Sequence, residues 1–144
     1  MRSVLLALLF VASLPGCKKD SPLKDVADPE YRVGQRWSYW ARPGEETSTF
    51  IIEKVESHAK WGTVIHVGLD NLKLIKDKKT TSAIIHLPFS REAIEKSKAK
   101  KVEDDANLPP FKPEYDKWKQ AVDEGGGTLI RTPIAEQLNA MEDK

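Results

Sequence analysis

The strongest constraint on the fold is a change of hydrophobic period near Ser90. Before it, apolar and polar residues tend to alternate, as half-buried strands require. Arg36 to Arg42 places Trp37, Tyr39 and Ala41 on one face and Arg36, Ser38, Trp40 and Arg42 on the other. Pro43-Gly44-Glu45-Glu46 is a turn, with Pro fixing φ and Gly admitting positive φ. Thr47 to Val55 follows, rich in β-branched and aromatic residues, and completes a hairpin. Gly62 to Leu69 aligns Thr63, Ile65, Val67 and Leu69, while Val64 and His66 occupy its other face, so this strand is expected to be covered on both sides. Asp70-Asn71 and Asp77-Lys78-Lys79 are turns that separate it from Leu72 to Lys76 and from Thr80 to Leu87.

After residue 90 the spacing becomes helical. Ser90 predicts a cap for a helix from Arg91 to about Lys101, with Glu92 in its first turn and lysines in its last. Glu103 to Pro113 is a proline-rich loop, and Pro113 suits the first turn of a second helix. Tyr115, Trp118, Ala121 and Val122 form that helix's apolar stripe, which Gly125-Gly126-Gly127 ends. Thr128 to Arg131 is a candidate sixth strand, and Thr132-Pro133 precedes a helix whose Ile134, Leu138 and Met141 share a face. The expected fold is α+β: an antiparallel meander of about five strands, with two to three helices packed on one face.

The N-terminal stretch carries an address rather than a fold. Arg2 precedes a nine-residue apolar run from Val4 to Ala12, and small residues then lead to Cys17, the layout of a secretory signal. Leu14-Pro15-Gly16-Cys17 resembles a bacterial lipobox. The resemblance covers the signal alone. It implies diacylglyceryl transfer to the Cys17 sulfur, cleavage before Cys17, and acylation of the new amine. Two or three acyl chains hold a protein on a membrane almost permanently, where one does so only marginally. Lys18 rather than Asp after the cysteine leans, by the family's sorting pattern, toward the outer membrane and its periplasmic side. The expected organisation is a signal peptide over 1–16, a lipidated cysteine and flexible tether over 17–30, and one domain over 31–144. The tether would reach at most about 43 Å.

Charge narrows the partners. The net charge is +1 and Arg2 is the only charged residue before Cys17, so the remainder is formally neutral. A neutral domain has no field to hold a phosphate backbone, and nucleic acid is not expected as a partner. One cysteine excludes an intramolecular disulfide and a zinc knuckle. The apolar N-terminal run is too short for a stable transmembrane helix.

No catalytic residue is identifiable. The only thiol is assigned to lipid, there is no Gly-x-Ser-x-Gly elbow, and Glu45-Glu46 and Asp104-Asp105 are adjacent acids in turns. His58, His66 and His86 lack helical ligand spacing, although His66 and His86 are mid-strand and can become neighbours across a sheet. The simplest expectation is hydrogen-bonded histidines on half-buried strands, with no metal and no cofactor. Gly125-Gly126-Gly127 follows a helix and lacks the Lys-Ser/Thr of a phosphate loop.

Trp40 stands apart from the other aromatics because its neighbours on the polar face are Ser38 and Arg42. An indole there either stacks on a partner, with Arg36 and Arg42 beside it, or is covered by a helix. The expected function is a lipid-anchored envelope protein, a non-catalytic module that binds an envelope partner. Lipid-anchored immunity proteins and lysozyme inhibitors are similar in size and address, which makes neutralisation of a toxin or hydrolase an alternative. A small envelope hydrolase is another.

Overall fold

A computed structural model describes residues 20–143 of the chain. Eight strands and three helices follow in the order β1 (Leu23–Asp25), β2 (Arg36–Tyr39), β3 (Thr49–His58), β4 (Gly62–Asp70), β5 (Leu74–Lys76), β6 (Lys79–Thr81), β7 (Ile84–Ser90), α1 (Arg91–Ser97), β8 (Lys98–Glu103), α2 (Lys112–Asp123) and α3 (Ile134–Met141). The main sheet is antiparallel in the order β7-β4-β3-β2-β8, with β1 also paired to β3, and β5-β6 forms a small separate ribbon. The fold is α+β, with a β2-β3-β4-β7 meander at its centre.

The long strand β3 organises the sheet. Its first residues pair with β2, Arg36 opposite Ile51, and its last with β1, Leu23 opposite His58, so β1 and β2 lie end to end along one edge. The other edge pairs with β4 throughout, except for a register shift between Ile52 and Lys54 that leaves Glu53 as the extra residue of a bulge. The β3-β4 turn is closed by a side chain: His58 Nδ1 accepts from the backbone N–H groups of Lys60 and Trp61, at 3.1 and 3.2 Å. Gly62 then takes φ +76°, a value that glycine adopts without strain.

One sheet face carries the apolar core. Phe50, Ile52, Val55, Ile65, Val67 and Phe89 pack there with Ala93 and Ile94 of α1 and Ile134 and Leu138 of α3. Trp37 and Tyr39 join them, as their alternation implies. Ser97 ties the two covering helices together, donating to the Ala93 carbonyl and accepting from the Ile134 N–H at 2.9 Å. The expectation of helices on one face holds for α1 and α3. The third, α2, covers the opposite face, where Tyr115 reaches β3.

Three expectations change. The stretch read as a tether over 17–30 is structured from Ser21 onward: β1 pairs with β3, Leu23 is buried, and the Pro22 carbonyl accepts from Ala59 N–H. Three residues are too few to show a period, and backbone pairing to an open edge of β3 decides their conformation. The helix expected to reach Lys101 stops at Ser97, and Lys98–Glu103 turns into β8 alongside β2. Its lysines protect a sheet edge rather than a helix terminus. The sixth strand expected at Thr128 to Arg131 reduces to a single parallel bridge between Phe89 and Ile130. No helix of the described residues is long and apolar enough to cross a membrane.

Candidate functional site

The structure separates the residues proposed for partner binding. Trp40 is 72% exposed at the end of β2, with its backbone N–H on the Ser97 carbonyl. Arg36 is engaged by Asp70 at 2.6 Å and Glu103 at 3.4 Å, and donates to Thr49. Arg42 is buried, and its guanidinium pairs with Glu45 and Glu142. The strand ends at Tyr39, so the alternation that would align 36, 40 and 42 does not continue. Cys17 lies outside the described residues.

A polar cluster lies beneath α2, on the sheet face opposite the core. His66 is fully buried on β4 between two partners: its Nε2 is 2.8 Å from Glu56 Oε1 on β3, and its Nδ1 is 2.8 Å from His86 Nε2 on β7. The Tyr115 hydroxyl donates to both Glu56 oxygens, at 3.0 and 2.9 Å. Aromatic rings enclose the pair. Tyr115 and Trp118 meet His66 edge-on at 5.1 and 4.7 Å between centroids, while the two imidazoles are stacked. Lys54 Nζ sits 5.4 Å from the centre of the Tyr115 ring and pairs with Asp25 of β1.

Burial fixes the protonation pattern. It lowers the His66 pKa despite the opposing pull of Glu56, and lowers His86 to about 4, with His66 adding to that shift. Both rings are therefore neutral at pH 7. Glu56 already accepts the Tyr115 proton, so His66 Nε2–H donates to it and His66 Nδ1 must accept from His86 Nε2–H. The chain of bonds has one consistent direction, and it leaves the lone pair of His86 Nδ1 free. Burial and the Glu56 carboxylate together push the Tyr115 hydroxyl far above its ordinary pKa, which keeps it a donor.

This arrangement orients an imidazole as a hydrolytic triad does, but the terminal ring is a weak base at neutral pH. None of the side-chain hydrogen bonds of this cluster joins His86 to a serine or threonine hydroxyl. Its demonstrable consequence is mechanical: α2 is bonded to β3 and β4 through groups that need one another. Among the described residues no group of three or more His, Asp or Glu is placed to hold a metal ion.

Glu53, the bulge residue, is the opposite case. Both its carboxylate oxygens are buried with no hydrogen-bond partner, and desolvation raises its pKa to about 8. The carboxyl occupies room that Gly68 leaves: a Cβ there would stand 3.1 Å from Glu53 Oε2 and 3.2 Å from the Ile85 carbonyl.

Sequence reasoning placed the two histidines mid-strand and found the Tyr115-Trp118 stripe, but it missed Glu56 and Glu53. The available signal was two acids, Glu53 and Glu56, in a strand that also carries Phe50, Ile51, Ile52 and Val55, which is unusual for a segment covered on both faces. Comparison with protein-family models, with curated proteins and with solved structures returns no match.

Proposed function

We propose that this chain is a lipid-anchored bacterial envelope protein, held through Cys17 at the outer membrane and facing the periplasm, whose domain is a non-catalytic binding module. The feature that supports the address is the Leu14-Pro15-Gly16-Cys17 junction. The observation that carries the binding role is Trp40, whose indole is 72% exposed. A rigid aromatic side chain at the end of a paired strand loses little entropy on binding and offers a large contact area. Arg36 can contribute to such a contact from its ion pair with Asp70, whereas Arg42 acts inside the fold. The partner is an envelope component, and a toxin or hydrolase that the module neutralises falls within this reading.

The test is co-purification from solubilised, chemically cross-linked envelopes using wild type and Trp40→Ala. A partner present at defined stoichiometry with wild type and lost with Trp40→Ala supports the module. Equal capture by both removes Trp40 from the interface.

One observation favours a second reading as a small envelope hydrolase: the Glu56–His66–His86 chain ends in an unprotonated nitrogen. Turnover of wall or ester substrates, abolished by His86→Ala, would replace the binding reading with this one.

A further inference from the structure

A cleft of about 350 Å³ opens at the end of the sheet where the described chain begins. Its walls come from the β3-β4 turn (His58, Lys60, Trp61), from the end of α2 (Asp123), and from Asp20 itself. Ser21 pins this end down by donating to Asp123 at 2.5 Å, and Lys119 pairs with the same carboxylate. His58 stacks on one face of Trp61, with centroids 3.8 Å apart, and Trp118 stands beyond at 6.4 Å.

Cys17 is three residues before Asp20, so its Cα lies within about 11 Å of a residue that lines the cleft. If Cys17 carries acyl chains, as proposed above, the cleft is within reach of the headgroup layer, and headgroup binding would hold it there. The lining has the chemistry of a zwitterion receptor. Asp20 and the indole of Trp61 suit an ammonium group, through charge and ring quadrupole. Lys60 suits a phosphate on the same ligand. The volume falls in the range of small-molecule sites, roughly 300–1,000 Å³.

The geometry points to this cleft as a seat for an ethanolamine phospholipid headgroup of the bilayer that holds the anchor. Tryptophan at a membrane interface places its apolar body inward and its N–H in the wet headgroup layer, which matches a half-buried indole beside charged residues. The domain would then lie on the membrane with α2 and the β3-β4 turn against the lipid and Trp40 available to a partner.

The experiment uses full-length wild type, Trp61→Phe and Asp20→Asn, each purified from bacterial membranes and reconstituted into vesicles bearing a nitroxide lipid at headgroup depth. One set is phosphatidylethanolamine with phosphatidylglycerol; the other is phosphatidylglycerol alone. All chains should float with both vesicles. In the ethanolamine vesicles the quenched fraction of tryptophan emission should be at least twofold greater for wild type than for Trp61→Phe, and Asp20→Asn should lose most of that excess. The excess should collapse in phosphatidylglycerol alone. Quenching equal between wild type and Trp61→Phe, or an excess independent of headgroup, overturns the cleft assignment. A chain that floats with neither vesicle overturns the anchor, and the cleft assignment with it.

Discussion

His66 and His86 share a hydrogen bond of 2.8 Å across adjacent strands, and their rings stack at 5.1 Å. Two imidazoles this close cannot both be charged without strong repulsion, and the enclosing rings of Tyr115 and Trp118 give added charge little solvent. The sheet therefore contains a neutral histidine pair whose one direction of donation is set by Glu56.

Removing the anchor of that chain should loosen α2. Tyr115→Phe deprives Glu56 of one donor and should cost about 1–3 kcal/mol in denaturant unfolding. Glu56→Leu, which leaves both Tyr115 and His66 Nε2 without an acceptor, should cost more. A Glu56→Leu chain as stable as wild type would show that the cluster contributes nothing to the packing of α2.

Acid should destabilise the fold through these rings. Their folded pKa values lie below the unfolded value of about 6.5, so the unfolded chain binds more protons between those limits. Stability then rises with pH: the contribution is complete above about 6.5 and is lost as pH falls toward 4. Melting curves from pH 7 to 4 should show the decline, and it should be shallower in His86→Gln.

Glu53 acts with the opposite sign. Its folded pKa of about 8 exceeds its unfolded value of 4.5, so the native state retains a proton that the unfolded state releases, and stability falls as pH rises through that window. With the histidines pulling the other way below 6.5, stability should peak near that pH and decline toward 8. Glu53→Gln should remove the alkaline decline. An unchanged slope between pH 6.5 and 8 would mean that Glu53 is ionised and compensated in solution.

Trp40→Ala should leave the melting temperature nearly unchanged, because the ring is 72% exposed and surface truncations typically shift stability by no more than about 0.5 kcal/mol. A loss of roughly 3 kcal/mol or more, the cost of emptying a core site, would place the indole inside the fold.

The central meander was legible because β2 buries alternate residues, β3 and β4 are rich in β-branched and aromatic residues bounded by turn signals, and Ser90 does cap α1 through Ala93 N–H at 3.1 Å. The edges were not. β8 has the sequence Lys-Ala-Lys-Lys-Val-Glu, with no buried residue to betray a strand, and β1 is three residues long. Their conformation comes from backbone pairing, which leaves no side-chain pattern. The Glu56–His66–His86 cluster was only half legible for a related reason. Mid-strand histidines can be seen in a sequence, but which acid faces them depends on register, and the bulge at Glu53 shifts that register by one residue. The stripe of Tyr115 and Trp118 was recognisable as buried, yet its target is a polar patch on the sheet rather than the apolar core.

The proposed membrane attachment through Cys17 is tested most directly by metabolic labelling with an alkyne palmitate analogue. Wild type expressed in a bacterium should incorporate the label and run at the mass of the form cleaved before Cys17, while Cys17→Ala should remain an unlabelled precursor. Wild-type protein that takes up no label, or a Cys17→Ala chain labelled as strongly as wild type, would contradict the anchor.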